Sequence, residues 1–189
     1  MKMLVKDNFV SENLIEAAKA TWWSKNSGHW YTYGSGKQVS HGTENIPRAV
    51  WALLYELADL RVNELLGLTG PTVFPDIEHL HGSGMHQLDA GQSLGIHLDT
   101  ERHPTLPWKR EATALLYLDD AQGGELDLTD ASFAAQKRIE PVANRLVLFS
   151  TPAQWHRVNE CRSLRRSICL FFWSICNDGF SGERRAKFV

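Results

Sequence analysis

Arg165-Arg166-Ser167-Ile168-Cys169-Leu170-Phe171-Phe172-Trp173 reads as one long strand whose period-two pattern sorts its side chains onto two faces. Arg165, Ser167 and Cys169 share one face, and Arg166, Ile168 and Leu170 share the other. Working back from this segment, short strands are predicted at 73–79, 85–89, 94–99, 112–118, 124–128, 137–140, 145–149, 155–158 and 166–175. Glycine-bearing breaks at 82–84, 91, 95 and 123–124 separate them.

Upstream of residue 73 the period changes to that of a helix. Residues 11–22 set Leu14, Ile15, Ala18 and Trp22 at helical spacing behind Ser11, a suitable N-cap. Residues 47–66 carry Val50, Leu53, Leu54, Leu57, Leu60 and Leu65, with Pro47 suited to the first turn and Gly67 to the stop. Between them, 24–45 is rich in Gly, Ser and polar groups around Trp30, Tyr31 and Tyr33, and reads as a loop or a hairpin. Two helices followed by many short strands predict a mostly β fold of the α+β kind, with helices packed on one face of a β-sandwich or barrel. One domain over 1–189 is expected, with helical support over about 1–70 and a β core over about 73–176.

Composition narrows the class. The 189 residues are 43% hydrophobic and 22% charged, enough apolar mass to bury a core without covalent staples. A net charge of −2 gives no bulk attraction to a phosphate backbone, so no nucleic-acid partner is expected. Cys161, Cys169 and Cys176 are an odd count without CxxC spacing, and read as reduced thiols of a cytoplasmic protein rather than a zinc site. No window reaches the apolar length of a membrane span, and Met1 to Val10 lacks a signal-like stretch.

The chemistry concentrates in three places. His97 and Asp99 stand two apart on a predicted strand and so project together, while Leu98 turns away. A His and a carboxylate at this spacing also arise by chance. Here glycines at 91 and 95 bracket the approach, and His156 follows the apolar strand Leu146-Val147-Leu148-Phe149 across a short loop. Two imidazoles and one carboxylate leave half of an octahedral iron open to other ligands. Of the remaining histidines (His29, His41, His79, His81, His86, His103), none shows a matching arrangement, and His79-X-His81 reads as a solvated loop end. On the last strand, Arg165 offers a bidentate clamp for a carboxylate, and the Ser167 hydroxyl on the same face can satisfy a further lone pair. Arg166 then faces away, as a solvated or ion-paired charge. Both arginines could also simply guard the strand entrance.

In this order and spacing the chain resembles the Fe(II)/2-oxoglutarate-dependent oxygenases, in particular the prolyl 4-hydroxylase-like group. The resemblance runs over about 79–175. It rests on Gly91 through His97-Leu98-Asp99, Ala114-Leu115-Leu116-Tyr117-Leu118-Asp119, Gly123-Gly124-Glu125-Leu126, Pro141 through Ser150, His156 and Arg165-Arg166-Ser167. It implies a double-stranded β-helix of the jelly-roll or cupin-like kind. It also implies iron(II) on His97, Asp99 and His156, and 2-oxoglutarate on Arg165, Ser167 and, at even weight with core packing, Tyr117. With O2, 2-oxoglutarate would yield succinate and carbon dioxide as a substrate C–H is hydroxylated, with ascorbate as a candidate aid in keeping iron reduced. Asp99 speaks against halogenation, because halogenating relatives carry a small residue there. Asp89 and Leu94 depart from the family, standing where many relatives carry tyrosines near the cosubstrate.

The substrate stays open at this level. A prolyl residue in a peptide or protein, a small molecule or surface-glycan precursor, and a non-catalytic metal-binding cupin-like module are the alternatives. Residues 100–111, with Arg102 and Trp108, form one candidate recognition loop, and 24–45 form another. Trp30 and Trp108 could line a groove or serve as packing.

Overall fold

The computed structural model describes residues 2–33, 35–40, 42–176 and 186–189. In chain order the elements are β1 (Met3–Lys6), α1 (Glu12–Ala20), β2 (Trp30–Thr32), β3 (Gln38–Ser40), α2 (Arg48–Ala58), α3 (Val62–Leu65), β4 (Phe74–Pro75), β5 (Gly84–Leu88) and β6 (Leu94–Leu98). They continue as β7 (Trp108–Tyr117), β8 (Leu126–Thr129), β9 (Ala135–Ile139), β10 (Leu146–Ser150), β11 (His156–Val158), β12 (Arg165–Ile175) and β13 (Lys187–Phe188).

β12 runs through the middle of the larger sheet, whose order is β1-β10-β7-β12-β5-β3-β2, with β4 also on β12. A second sheet, β13-β6-β11-β8-β9, lies across from it, and the pairings are antiparallel. Strand parity explains the layering. Ala112, Ala114 and Leu116 of β7 and Ile168, Leu170 and Phe172 of β12 join Val50, Leu53, Leu54 and Leu57 of α2 in one core. The opposite parity, Leu115 and Tyr117 with Cys169, Phe171 and Trp173, meets Leu126, Leu128 and Ile139 of the second sheet. Helices therefore cover the outside of the large sheet and the second sheet closes its inside, the jelly-roll arrangement the sequence suggested. Leu53, Leu54 and Leu57 are fully buried, and truncating such a residue to alanine costs on the order of 2–5 kcal/mol.

Several expectations change. The helix over 47–66 is two helices, broken at Asp59–Arg61, where Arg61 has non-helical ψ of 72°. In an unbroken helix Leu57 and Val62 would point about 140° apart, whereas both are buried in the same core. Ser11 occupies the N-cap of α1, but its side chain makes no capping hydrogen bond. The stretch 1–70 is not purely helical support, because β1 pairs with β10 and the β2–β3 hairpin extends the large sheet through β5. The β core likewise runs past 176, with β13 laid along β6. No helix among the described residues is long and apolar enough to cross a membrane.

Candidate metal centre

β6 and β11 are neighbours in the second sheet, and their register sets His97 opposite His156. Each imidazole is oriented by its own strand entrance. His97 Nδ1 donates to Gly95 O (2.8 Å) and His156 Nδ1 donates to Gln154 O (3.0 Å). A carbonyl can only accept, so both protons sit on Nδ1 and both Nε2 lone pairs stay free, the tautomer a metal ligand needs. Those two Nε2 atoms lie 3.7 and 3.8 Å from a single atom, Asp99 Oδ1.

The other oxygen of Asp99 is already occupied. Oδ2 faces Arg110 Nη1 at 3.3 Å and accepts from Thr113 Oγ1 at 3.4 Å, and Thr113 is in turn bonded to Thr151 (3.0 Å). One carboxylate oxygen is thus tethered and the other presented to the imidazoles. Burial alone would raise the Asp99 carboxyl, but Arg110 and the two imidazoles outweigh it and hold it below the usual carboxylate range. Burial, helped by the neighbouring His156, pulls His97 down to about 4, so the ring is neutral at ordinary pH. Two imidazole nitrogens and one carboxylate oxygen, convergent and largely buried, fit a divalent first-row metal.

The same cavity continues to Arg165, on the strand face that also carries Cys169 and Phe171. Arg165 is 3% exposed, and its Nε donates to Gly124 O at 2.9 Å. Gly124 has φ of +69°, and a Cβ there would come within 2.7 Å of Arg165 Cδ, so only glycine lets the guanidinium pass. Tyr117 Oη accepts from Arg165 Nη2 (3.3 Å) and the guanidinium lies over the Tyr117 ring, leaving the phenolic proton free for a carboxylate. Ser167 Oγ, two residues along on the Arg165 face, is fully buried with no hydrogen-bond partner. An orphan hydroxyl beside a buried guanidinium is the donor set a carboxylate satisfies, so these residues fit the distal end of a dicarboxylate. Burial pushes the Cys169 thiol up to about 12, which keeps it a neutral wall rather than a ligand. Arg166, by contrast, turns outward into a two-pronged pair with Asp119 (Nε–Oδ2 2.9 Å, Nη2–Oδ1 2.6 Å).

The loop expectations fare differently. Residues 108–111 are not loop but the start of β7, and Trp108 packs edge-on against Phe74 and tilted over His103. Arg102 bridges Lys109 and its guanidinium contacts Cys176 Sγ. Neither lines the cavities that contain Asp99. Trp30 packs on Trp22 and Trp23. The segment 24–45 does reach the site, through Tyr33, Lys37 and Val39. Lys37 and Arg110 line the cavity beside His97 and Asp99, and sequence reasoning assigned a ligand role to neither.

The histidines outside the triad also need correcting. His79 and His103 do gather, with Asp76, tightly enough to suggest a metal. Their hydrogen bonds say otherwise. His103 Nδ1 accepts from the backbone N–H groups of Leu106 (3.1 Å) and Thr105 (3.3 Å), which leaves the proton on Nε2, facing Asp76. Asp76 accepts from the backbone of His79 and His81. This is a knot tying the β4–β5 loop, not an open ligand set. His86 Nε2 donates to Gly82 O (2.9 Å) within the cavity wall, since a carbonyl only accepts. His41 lies outside the described residues.

Comparison with known proteins agrees with this geometry. Residues 83–173 match the family described as the 2OG-Fe(II) oxygenase superfamily. No curated protein matches the chain in sequence. Among solved structures it is similar to a prolyl-4-hydroxylase from Pseudomonas putida, at 22% identity and TM-score 0.67, covering 93% of each chain. It is similar to a prolyl hydroxylase from Trichoplax adhaerens at 20% identity and TM-score 0.66, over 92% of this chain and 84% of that one. A viral collagen prolyl hydroxylase from Paramecium Bursaria Chlorella virus-1 follows at 14% identity and TM-score 0.59, over 93% and 97%. At these identities the likeness establishes the fold.

Proposed function

We propose that this chain, whose residues 83–173 match the 2OG-Fe(II) oxygenase superfamily, hydroxylates a C–H bond of a peptidyl proline, with His97, Asp99 and His156 holding iron(II) and Arg165, Ser167 and Tyr117 holding 2-oxoglutarate. It is a 2-oxoglutarate-dependent dioxygenase, and its family uses iron(II), 2-oxoglutarate and O2. When bound, iron and 2-oxoglutarate together supply the oxidising chemistry, releasing succinate and carbon dioxide as the C–H is hydroxylated.

The observation that carries the reading is the convergence of two Nε2 atoms on one oxygen of Asp99, whose other oxygen is tied to Arg110. The protein's own work is orientation and exclusion of water. Gly95 and Gln154 carbonyls fix the imidazoles, Arg110 and Thr113 fix the carboxylate, and Gly124 and Tyr117 fix the clamp. Phe188 of β13 stacks on His97 at 5.0 Å and shields it.

Three observations favour a peptide. The similar structures include prolyl hydroxylases, one of them in complex with a hypoxia inducible factor oxygen degradation domain peptide fragment. Outward from His97 and Asp99, the cavity passes Tyr33, His81 and Gly82. It then opens onto a groove floored by the exposed, edge-packed Tyr31 and Tyr33, the aromatic surface an extended prolyl segment can lie on.

The test is succinate formation by purified protein with iron(II), 2-oxoglutarate and a prolyl-peptide library. Wild type should form succinate faster when a substrate peptide is present, and Asp99→Ala should form none above background. Near-wild-type turnover by Asp99→Ala at equal iron would remove the ligand assignment.

A further inference from the structure

Lys37 enters the cavity from the wall opposite the metal ligands. It stands where the β2–β3 hairpin closes, with Tyr33 N donating to Lys37 O at 2.9 Å. Its side chain lines two adjoining spaces. The inner one holds His97, Asp99, His156 and Arg165, and the outer one holds Tyr33, His81 and Arg110. Lys37 therefore stands at the junction between the cosubstrate end and the entrance.

The ammonium has no hydrogen-bond or ion-pair partner among the described residues. Burial lowers its pKa, and its main electrostatic neighbours are Cys169, Asp99 and Arg165. Lys37 is half-buried at the cavity mouth, so its ammonium can still be reached by an incoming anion, and a charge-assisted pair formed there is partly shielded from water. Among the described residues the cavity offers it no free counter-ion. Cys169 stays a thiol, His86 is held neutral by burial, and the carboxylate of Asp99 is paired with Arg110. Among the described residues lining these two spaces, Lys37, Arg110 and Arg165 thus outnumber the single carboxylate.

On the function proposed above, 2-oxoglutarate brings two carboxylates, and both have partners without Lys37. When bound, the near one would be held at the metal on His97, Asp99 and His156, and the far one would meet Arg165, Ser167 and Tyr117. The reactant still unmatched is the primary substrate, which must pass the junction to reach the metal. We propose that Lys37 recognises a carboxylate on the primary substrate, so that the enzyme selects a target whose oxidised residue, or the residue next to it, is acidic. This inference rests on the peptide-hydroxylase reading and narrows its substrate class.

The test uses iron-loaded wild type, Lys37→Met and Lys37→Arg with matched acetyl-X-Pro-Y amides, in which X or Y is Asp against Asn or Glu against Gln. Succinate formed above the peptide-free rate is the first readout. Binding of 2-oxoglutarate to the manganese(II)-loaded protein, by calorimetry, is the second. In wild type, replacing the acid by its amide should lower stimulation roughly tenfold or more, the usual worth of one charge-assisted partner. Lys37→Met should erase that preference and Lys37→Arg should retain it. Equal stimulation by acid and amide, or a preference that survives Lys37→Met, overturns the inference and leaves the peptide reading standing. A tenfold weaker binding of 2-oxoglutarate to Lys37→Met with the preference intact assigns the ammonium to the cosubstrate instead, and also overturns it. No stimulation by any peptide, with peptide-free succinate formation continuing, removes the peptide reading and this inference with it.

Discussion

At the scale of single residues, what was legible was whatever strand parity controls. His97 near the end of β6 and Asp99 just past it project together because they are two apart in extended chain, and Arg165 and Ser167 share a face of β12 for the same reason. Arg110 escaped because parity fails next to it. Phe172 pairs with Ala112 and Trp173 with Arg110, so Glu111 is an extra residue in β7 and the strand's facing switches there. Strict alternation would have set Arg110 beside Ala112 and Ala114 toward the helices, whereas it stacks on Phe171 at 3.5 Å and reaches Asp99. Lys37 lies in a hairpin turn, where no periodicity says which way a side chain points. The Arg165/Arg166 pair makes the parity claim testable. Arg165→Ala should weaken 2-oxoglutarate binding to the manganese-loaded protein by well over about tenfold, the scale expected when one partner of a buried charged pair is lost. Arg166→Ala should do much less to binding and act mainly on stability, because Arg166 is spent on Asp119. Calorimetry and thermal melts separate the two, and the reverse order of effects would mean that β12 faces the other way.

At the scale of elements, the strands from β5 to β12 were readable within a few residues, because turn chemistry bounds them and most carry apolar residues, although β9 (AQKRI) and β11 (HRV) have no apolar run. The short edge pieces β1 and β13 were not. Each is held by its neighbour's backbone rather than by a pattern of its own. The second sheet has its own electrostatic staple. Asp127 on β8 is fully buried and accepts from Arg138 on β9 (2.8 and 2.9 Å) and from Arg157 on β11 (3.0 and 2.9 Å). The hydrogen bonds from Arg138, with those from Arg157 and Asn159, bring its carboxyl down to about 2. A carboxyl depressed on folding stabilises above its unfolded pKa of about 4 and loses that contribution as pH falls toward the folded value. Asp127→Asn should therefore melt below wild type at neutral pH, with the gap closing between about pH 4 and about pH 2. A gap that stays constant through that window would show that the carboxylate charge is not what holds β8, β9 and β11 together.

At the scale of the whole molecule, the layering gathers the proposed ligands in the space between the two sheets. The large sheet is stiffened by α2 from outside and supplies Arg110, Thr113, Arg165 and Ser167, while the second sheet supplies both imidazoles. Two histidine clusters coexist in this frame; spacing singled out the first, but the gathering of Asp76, His79 and His103 and the direction of their hydrogen bonds are invisible to the sequence. His97 and His156 give their Nδ1 protons to carbonyls and keep Nε2 open, whereas His103 receives backbone protons on Nδ1. The direct test is anomalous diffraction from anaerobic crystals grown with manganese(II) and 2-oxoglutarate. The expected result is metal bound by His97 Nε2, His156 Nε2 and one oxygen of Asp99, with the distal carboxylate of 2-oxoglutarate on Arg165 and Ser167. Metal at Asp76, His79 and His103 instead, or 2-oxoglutarate bound away from Arg165, would contradict the account.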